Sequence, residues 1–109
     1  VKSAANQHPI MRIEPRYPIK AARSGIEGSV VMRFNINPNG KVSDIEVVKS
    51  IPTDVFDQEA SIALAQWLYS EGKTGQKGLM VQLDFRMDNS DRKPVNVIQN
   101  IEKISIIKK

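Results

Sequence analysis

The run Ser29-Val30-Val31-Met32-Arg33-Phe34-Asn35-Ile36-Asn37-Pro38-Asn39-Gly40-Lys41-Val42 carries an apolar side chain at every second position from Val30 to Ile36. Period two puts Val30, Met32, Phe34 and Ile36 on one face of a strand and Ser29, Arg33, Asn35 and Asn37 on the other. Val31 alone breaks the polar side. Asn37-Pro38-Asn39-Gly40 is a dense turn signal, and a new apolar run starts within two residues, so the segment reads as a β-hairpin. In the returning strand the step from Val42 to Ile45 is odd, whereas Ile45 and Val47 alternate again. One extra residue near Ser43-Asp44 restores the phase, as a β-bulge does.

Downstream, Ile51-Pro52 closes that strand, and Thr53 or Asp54 is placed to cap a helix. Phe56, Ala60, Ala63, Leu64, Trp67 and Leu68 then fall on a single helical stripe. Ser70 to Gly78, with Gly72, Gly75 and Gly78, reads as a flexible loop. Leu79, Val81, Leu83, Phe85 and Met87 alternate with Met80, Gln82, Asp84 and Arg86, a strand whose first set points into the core and whose second set faces away. Burying five such side chains contributes on the order of 10 kcal/mol before discounting for a compact unfolded state. Asp88 to Lys93 is turn-like. In the tail, Val97, Ile98, Ile101 and Ile104 have helical spacing while Ile104 to Ile107 suit a strand equally; helix is the preferred reading.

Upstream, each residue before a proline in Glu14-Pro15-Arg16-Tyr17-Pro18 is pushed out of the helical region, so the stretch is extended. Pro18 suits the first helical position, Gly25 suits a left-handed stop, and Ile19 to Arg23 make a helix too short to stand without packing. Residues 1–11 show no periodicity and read as a flexible start or the end of a linker; 12–90 is the domain and 91–109 a tail extension. The expected fold is α+β: two helices on one face of a three-stranded antiparallel sheet, with a C-terminal tail segment.

A chain of 109 residues has room for one such core, and 40% hydrophobic with 26% charged residues is ordinary globular composition. No apolar run is long enough to span a bilayer, and a start at Val1 reads as a fragment whose anchor lies upstream. The absence of cysteine excludes disulfides, thiol nucleophiles and thiolate metal sites. His8 is the sole histidine and sits in the aperiodic start, while Asp54, Asp57 and Glu59 mark a helix beginning rather than an acid–base pair. Gly72, Gly75 and Gly78 lack the ending of a phosphate loop. No enzyme, cofactor or metal centre is therefore expected. The +4 charge is spread along the chain, and Phe34 and Phe85 lie in the apolar register, so no stacking surface for a nucleic acid is expected. Three strands leave two sheet edges, each a row of unpaired N–H and C=O groups open to a partner strand or to a second copy of the chain.

Tyr17-Pro18, Gly25, Glu27-Gly28, Phe34, Gly40, Ser50-x-Pro52, Phe56-Asp57, Ala60, Trp67 and Phe85, in this order, closely resemble the C-terminal domain of the TonB family. The resemblance runs from about Pro15 to Met87. It implies a periplasmic domain that captures the TonB box of outer-membrane transporters for iron chelates or vitamin B12. The rest of such a protein carries an inner-membrane anchor and is driven by the ExbB and ExbD motor. The box would pair beside the last strand, Leu79, Met80, Val81, Gln82, Leu83, Asp84, Phe85, Arg86 and Met87, and touch Glu14, Pro15, Arg16 and Tyr17. Well-known members carry Gln where Glu14 stands. TolA-like domains, which serve envelope integrity, share a similar architecture and are the first alternative; a non-specific nucleic-acid-binding α/β module, prompted by the basic charge, is the lesser one.

Overall fold

Residues 2–3, 9–72, 75–88 and 101–108 are described by the structure, a computed structural model. The expected hairpin is present as β2 (Gly28–Ile36) and β3 (Val42–Ile51), closed by Gly40 N donating to Asn37 O at 2.8 Å. The bulge falls where the odd step put it: Arg33 pairs with Glu46 and Asn35 with Ser43, and Asp44 has a φ of 54°. Beside β2 on its other edge runs β4 (Gln76–Arg86), also antiparallel, with Val30 opposite Leu83 and Met32 opposite Val81. The strand thus begins inside the span expected to be loop.

Two helices cover the apolar face. In α1 (Ile19–Ser24) Gly25 ends the helix at φ 66°, as expected, but Pro18 is the N-cap, with ψ 134°, rather than the first helical residue. Its extended ψ continues the Glu14–Pro18 segment, which has neither helix nor strand. In α2 (Asp57–Leu64) Phe56 takes the N-cap position without a side-chain hydrogen bond. Neither Thr53 nor Asp54 caps it; Asp54 is in a turn with φ 64°, outside the extended region an N-cap needs. The helix also stops short of the stripe. Trp67 and Leu68 lie beyond it, and the Leu68 backbone instead exchanges hydrogen bonds with Met11 while Tyr69 N donates to Gly40 O at 2.8 Å.

Ala21, Ala60 and Leu64 from the helices, Val30, Met32, Phe34 and Ile36 from β2, and Leu79, Val81, Leu83 and Phe85 from β4 form one buried cluster together with Trp67 and Tyr69. Tyr17 meets Phe56 and Phe85 edge-on at 5.5 and 5.8 Å, and those two rings stack at 4.4 Å.

Two parts of the expected sheet are corrected. It is mixed and larger than three antiparallel strands: β5 (Glu102–Ile107) and the two-residue β1 (Lys2–Ser3) both pair parallel with β4. The tail is therefore a strand at 102–107, because Glu102, Ile104 and Ile106 continue the alternation of β4 onto the same face, and Ile106 becomes part of the core. Val97, Ile98, His8 and Arg92-Lys93 lie outside the described residues. The second correction concerns the opposite face. Gln82 and Asp84 are buried rather than solvated, with Asp84 Oδ1 accepting from Ser29 Oγ at 2.6 Å and Gln82 Nε2 at 2.7 Å. Val31, the residue that broke the polar alternation, packs there with Met80 and Ile101.

Candidate strand-binding site

The expected partner site joined two separate stretches, and the structure brings both to one side of the sheet. It also pairs β5 with β4 and sets Ile104 to Ile106 beside Arg12 to Pro15, while Tyr17 meets Phe85 of β4 directly. Residues Val81 to Arg86 of β4 pair with Glu102 to Ile107 in parallel register, and Lys108 N extends the ladder to Arg86 O at 2.8 Å. Leu79 and Met80 pair with Lys2 and Ser3. The outer edge of β4 is thus occupied by the chain's own segments. Its side chains are unavailable as well: Leu79, Val81, Leu83 and Phe85 lie in the core, Met80, Gln82 and Asp84 are buried on the far face, and Arg86 and Met87 are half-buried.

Glu14 and Arg16 are exposed, Pro15 is buried and Tyr17 half-buried. With Ile19, Arg23 and the end of β5 (Ile106, Ile107 and Lys108) these four line an open cleft of about 590 Å³. A smaller cavity of about 300 Å³ lies on the other side of the extended segment, between Arg12–Pro15, Trp67 and Ile104–Ile106. β5 therefore sits in a groove whose inner wall is β4 and whose outer wall is Arg12 to Tyr17.

Each end of that wall is anchored. Trp67 Nε1 donates to Ile13 O at 3.0 Å, and the Arg12 guanidinium sits 4.9 Å from the Trp67 ring centroid and 3.4 Å from the Glu102 carboxylate. At the other end Tyr17 OH donates to Ile26 O, and Met87 N donates to Glu27 Oε2 at 2.8 Å. Sequence reasoning missed Arg12, Arg23 and the β5 side chains as parts of this site. The period-two spacing of Ile104 and Ile106 was the available signal, and the pairing with β4 is what selects the strand.

Burial pushes the Tyr69 phenol up to about 12, helped by nearby Glu102 and opposed by Arg12; Tyr17 is raised as well, by burial and then Glu27. A phenol that holds its proton more tightly when folded adds stability in full below its unfolded pKa of 10.0, lost as pH rises through about 12. Alkaline titration followed by phenolate absorbance should show Tyr69 ionising near 12, and Glu102→Gln should lower that value. Both tyrosines ionising together near 10.0 would contradict the packing of β5 against Tyr69.

Residues 13–88 match the family described as Gram-negative bacterial TonB protein C-terminal. The chain belongs to the TonB C-terminal family. Protein TonB of Escherichia coli is 30% identical over 87 residues, covering 80% of this chain and 36% of that protein. Among solved structures, the TonB2 protein of Vibrio anguillarum superposes with a TM-score of 0.62 at 38% identity, covering 78% of this chain and 87% of that one. The Pseudomonas aeruginosa TonB C-terminal domain, solved in solution by NMR, gives 0.59 at 31% identity over 82% and 92% of the two chains. The chain spans about a third of the length of the curated TonB proteins it matches.

Proposed function

We propose that this TonB C-terminal domain works in the periplasm, binding the TonB box of outer-membrane transporters by strand addition beside β4. It passes on force from the inner-membrane ExbB and ExbD motor for uptake of iron chelates or vitamin B12. The observation that carries this reading is the edge of β4, which in this chain already holds extended segments in parallel pairing over Leu79 to Arg86. A box strand takes the place of β5 there. Anchor and motor contacts belong to parts of a TonB protein outside this sequence, and the domain itself neither catalyses a reaction nor holds a cofactor.

A strand added along Val81 to Arg86 gains backbone hydrogen bonds of about 0.5 to 1.5 kcal/mol net each, offset by the cost of ordering the peptide and of releasing β5. The affinity is then modest, roughly micromolar or weaker. A pull along the strand axis loads all ladder bonds together, so modest affinity is compatible with resistance to lengthwise force. NMR titration of the chain with a synthetic TonB-box peptide tests the reading. Shifts should concentrate at Glu14 to Tyr17, Leu79 to Met87 and Glu102 to Ile107. Shifts confined to the exposed side of α2 and the turn after it, at Gln58, Ile62 and Gln66, would rule out strand addition at this edge.

A further inference from the structure

β3 lies at the other rim of the sheet, with β2 on one side and no strand on the other among the described residues. It is ten residues long and carries two of the large apolar side chains most open to solvent, Val48 and Ile51. An edge of that length and character invites a second strand. Its backbone is not laid out to receive one. Three steps along β3, from Ser43 to Glu46, match two along β2, from Asn35 to Arg33; two steps, from Val47 to Lys49, match one, from Met32 to Val31. Each mismatch is a one-residue bulge, and together they cut the paired strand into the runs 42–43, 46–47 and 49–51. A bulge turns the outward N–H and C=O groups off their common line, so a straight partner strand loses register within two or three residues.

Both ends of this edge are closed as well. Before β3, Gly40 O accepts from Tyr69 N at 2.8 Å and Lys41 bridges to Leu68. After it, Pro52 has no N–H to donate. Side chains fix the first bulge: Asp44, at a φ of 54°, accepts from Asn35 Nδ2 at 2.9 Å, and Arg33 pairs with Glu46 beside it. Asp44, Glu46 and Lys49 are exposed and set charge along the rim.

We propose that the two bulges of β3 close this edge to strand addition, so that the sheet recruits a strand at its β4 side alone, and that the partner they exclude is a second copy of this chain. One edge pairing antiparallel with itself satisfies a two-fold axis, and such pairing would cover Val48 and Ile51. The proposal concerns the edge away from β4 and stands whether or not a TonB box binds there. Deleting Asp44 and Val48 removes both extra residues. Every residue of β3 that is paired now then keeps its partner across the hairpin, and Ile45 falls opposite Phe34 in one continuous register.

Sedimentation equilibrium of the whole chain and of this deletion variant, with hydrogen exchange over a concentration series, tests the proposal. The variant should self-associate at least about tenfold more strongly than the original chain, and its 45–51 amides should gain protection as concentration rises. Val48→Ser, which removes the exposed methyls and keeps the bulge, should associate no more than the original chain. A folded deletion variant that associates no more than the original chain, added protection that falls on β5 instead of residues 45–51, or a Val48→Ser chain that associates as strongly as the deletion variant overturns the proposal. Where the double deletion does not fold, removal of Val48 alone, which joins 46–47 to 49–51, decides by the same two readouts. The original chain supplies a further check: its 45–51 amides should exchange at millimolar concentration as they do at micromolar, and protection there that grows with concentration overturns the proposal.

Discussion

Replacing Trp67 by alanine is expected to remove about 3 to 5 kcal/mol of stability. Trp67 is the largest fully buried side chain, sits in the main core cluster and lies just past the end of α2. Its loss leaves a cavity that the neighbouring strands, held by hydrogen-bonded register, do not close. It also removes the Nε1 hydrogen bond to Ile13 O and the ring beneath Arg12. Small domains have roughly 5 to 15 kcal/mol in total, so the change takes a large part of the folded state's margin. At about 4 to 8 °C per kcal/mol, calorimetry should find the midpoint at least about 12 °C lower. Trp67→Phe keeps most of the ring volume and loses the hydrogen bond, and should cost less than half as much. A drop under about 1 kcal/mol for the alanine variant would show that the Arg12 to Pro15 wall does not depend on this ring.

The hairpin was legible because two local signals agree: an apolar residue at every second position from Val30 to Ile36 and a turn sequence that closes the strand. The bulge at Asp44 was legible for the same reason, since a single odd step in an otherwise regular pattern has few structural solutions. The end of α2 was not. The apolar stripe runs on through Trp67 and Leu68, but the backbone at Leu68 bonds to Met11, far away in sequence, and no helical period reports that competition. The far face of β4 was misread because alternation separates two faces without saying what covers each. Asp84 Oδ1 accepts from both Ser29 and Gln82 there, so these groups are held in a buried position that composition alone reads as exposure to water. As for the site, Glu14 to Tyr17 and β4 came from resemblance, and the structure shows Tyr17 against Phe85 with the β4 edge already paired. The strand on that edge came from a tail whose aliphatic spacing fits two periods, and only the pairing partner, β4, selects between them.

Gly40→Ala should be among the most damaging single-methyl additions in the chain, costing about 3 kcal/mol or more. Two penalties combine at this position. Gly40 has a φ of 85°, in the left-handed region where a side chain costs about 1 to 2 kcal/mol. A Cβ there would also lie 2.0 Å from Tyr69 O, a backbone atom that no rotamer change moves aside. Gly25 separates the two terms, since its φ is 66° with nothing within 4 Å of the added carbon. Gly25→Ala should therefore show the conformational cost alone. Urea unfolding of the two variants, with unchanged dependence on denaturant, measures the difference directly. Equal costs would mean that the hairpin turn yields readily to the added methyl. If Gly40→Ala is the more costly, the Tyr69 segment must have moved away, and with it the Tyr69 N bond to Gly40 O and the Leu68 bridges to Lys41 and Met11. Those bridges carry the chain from the hairpin turn to the residue next to Arg12. The variant should accordingly speed hydrogen exchange at the Met11 and Leu68 amides, and unchanged exchange there would show that this end of the groove wall is positioned by Trp67 alone.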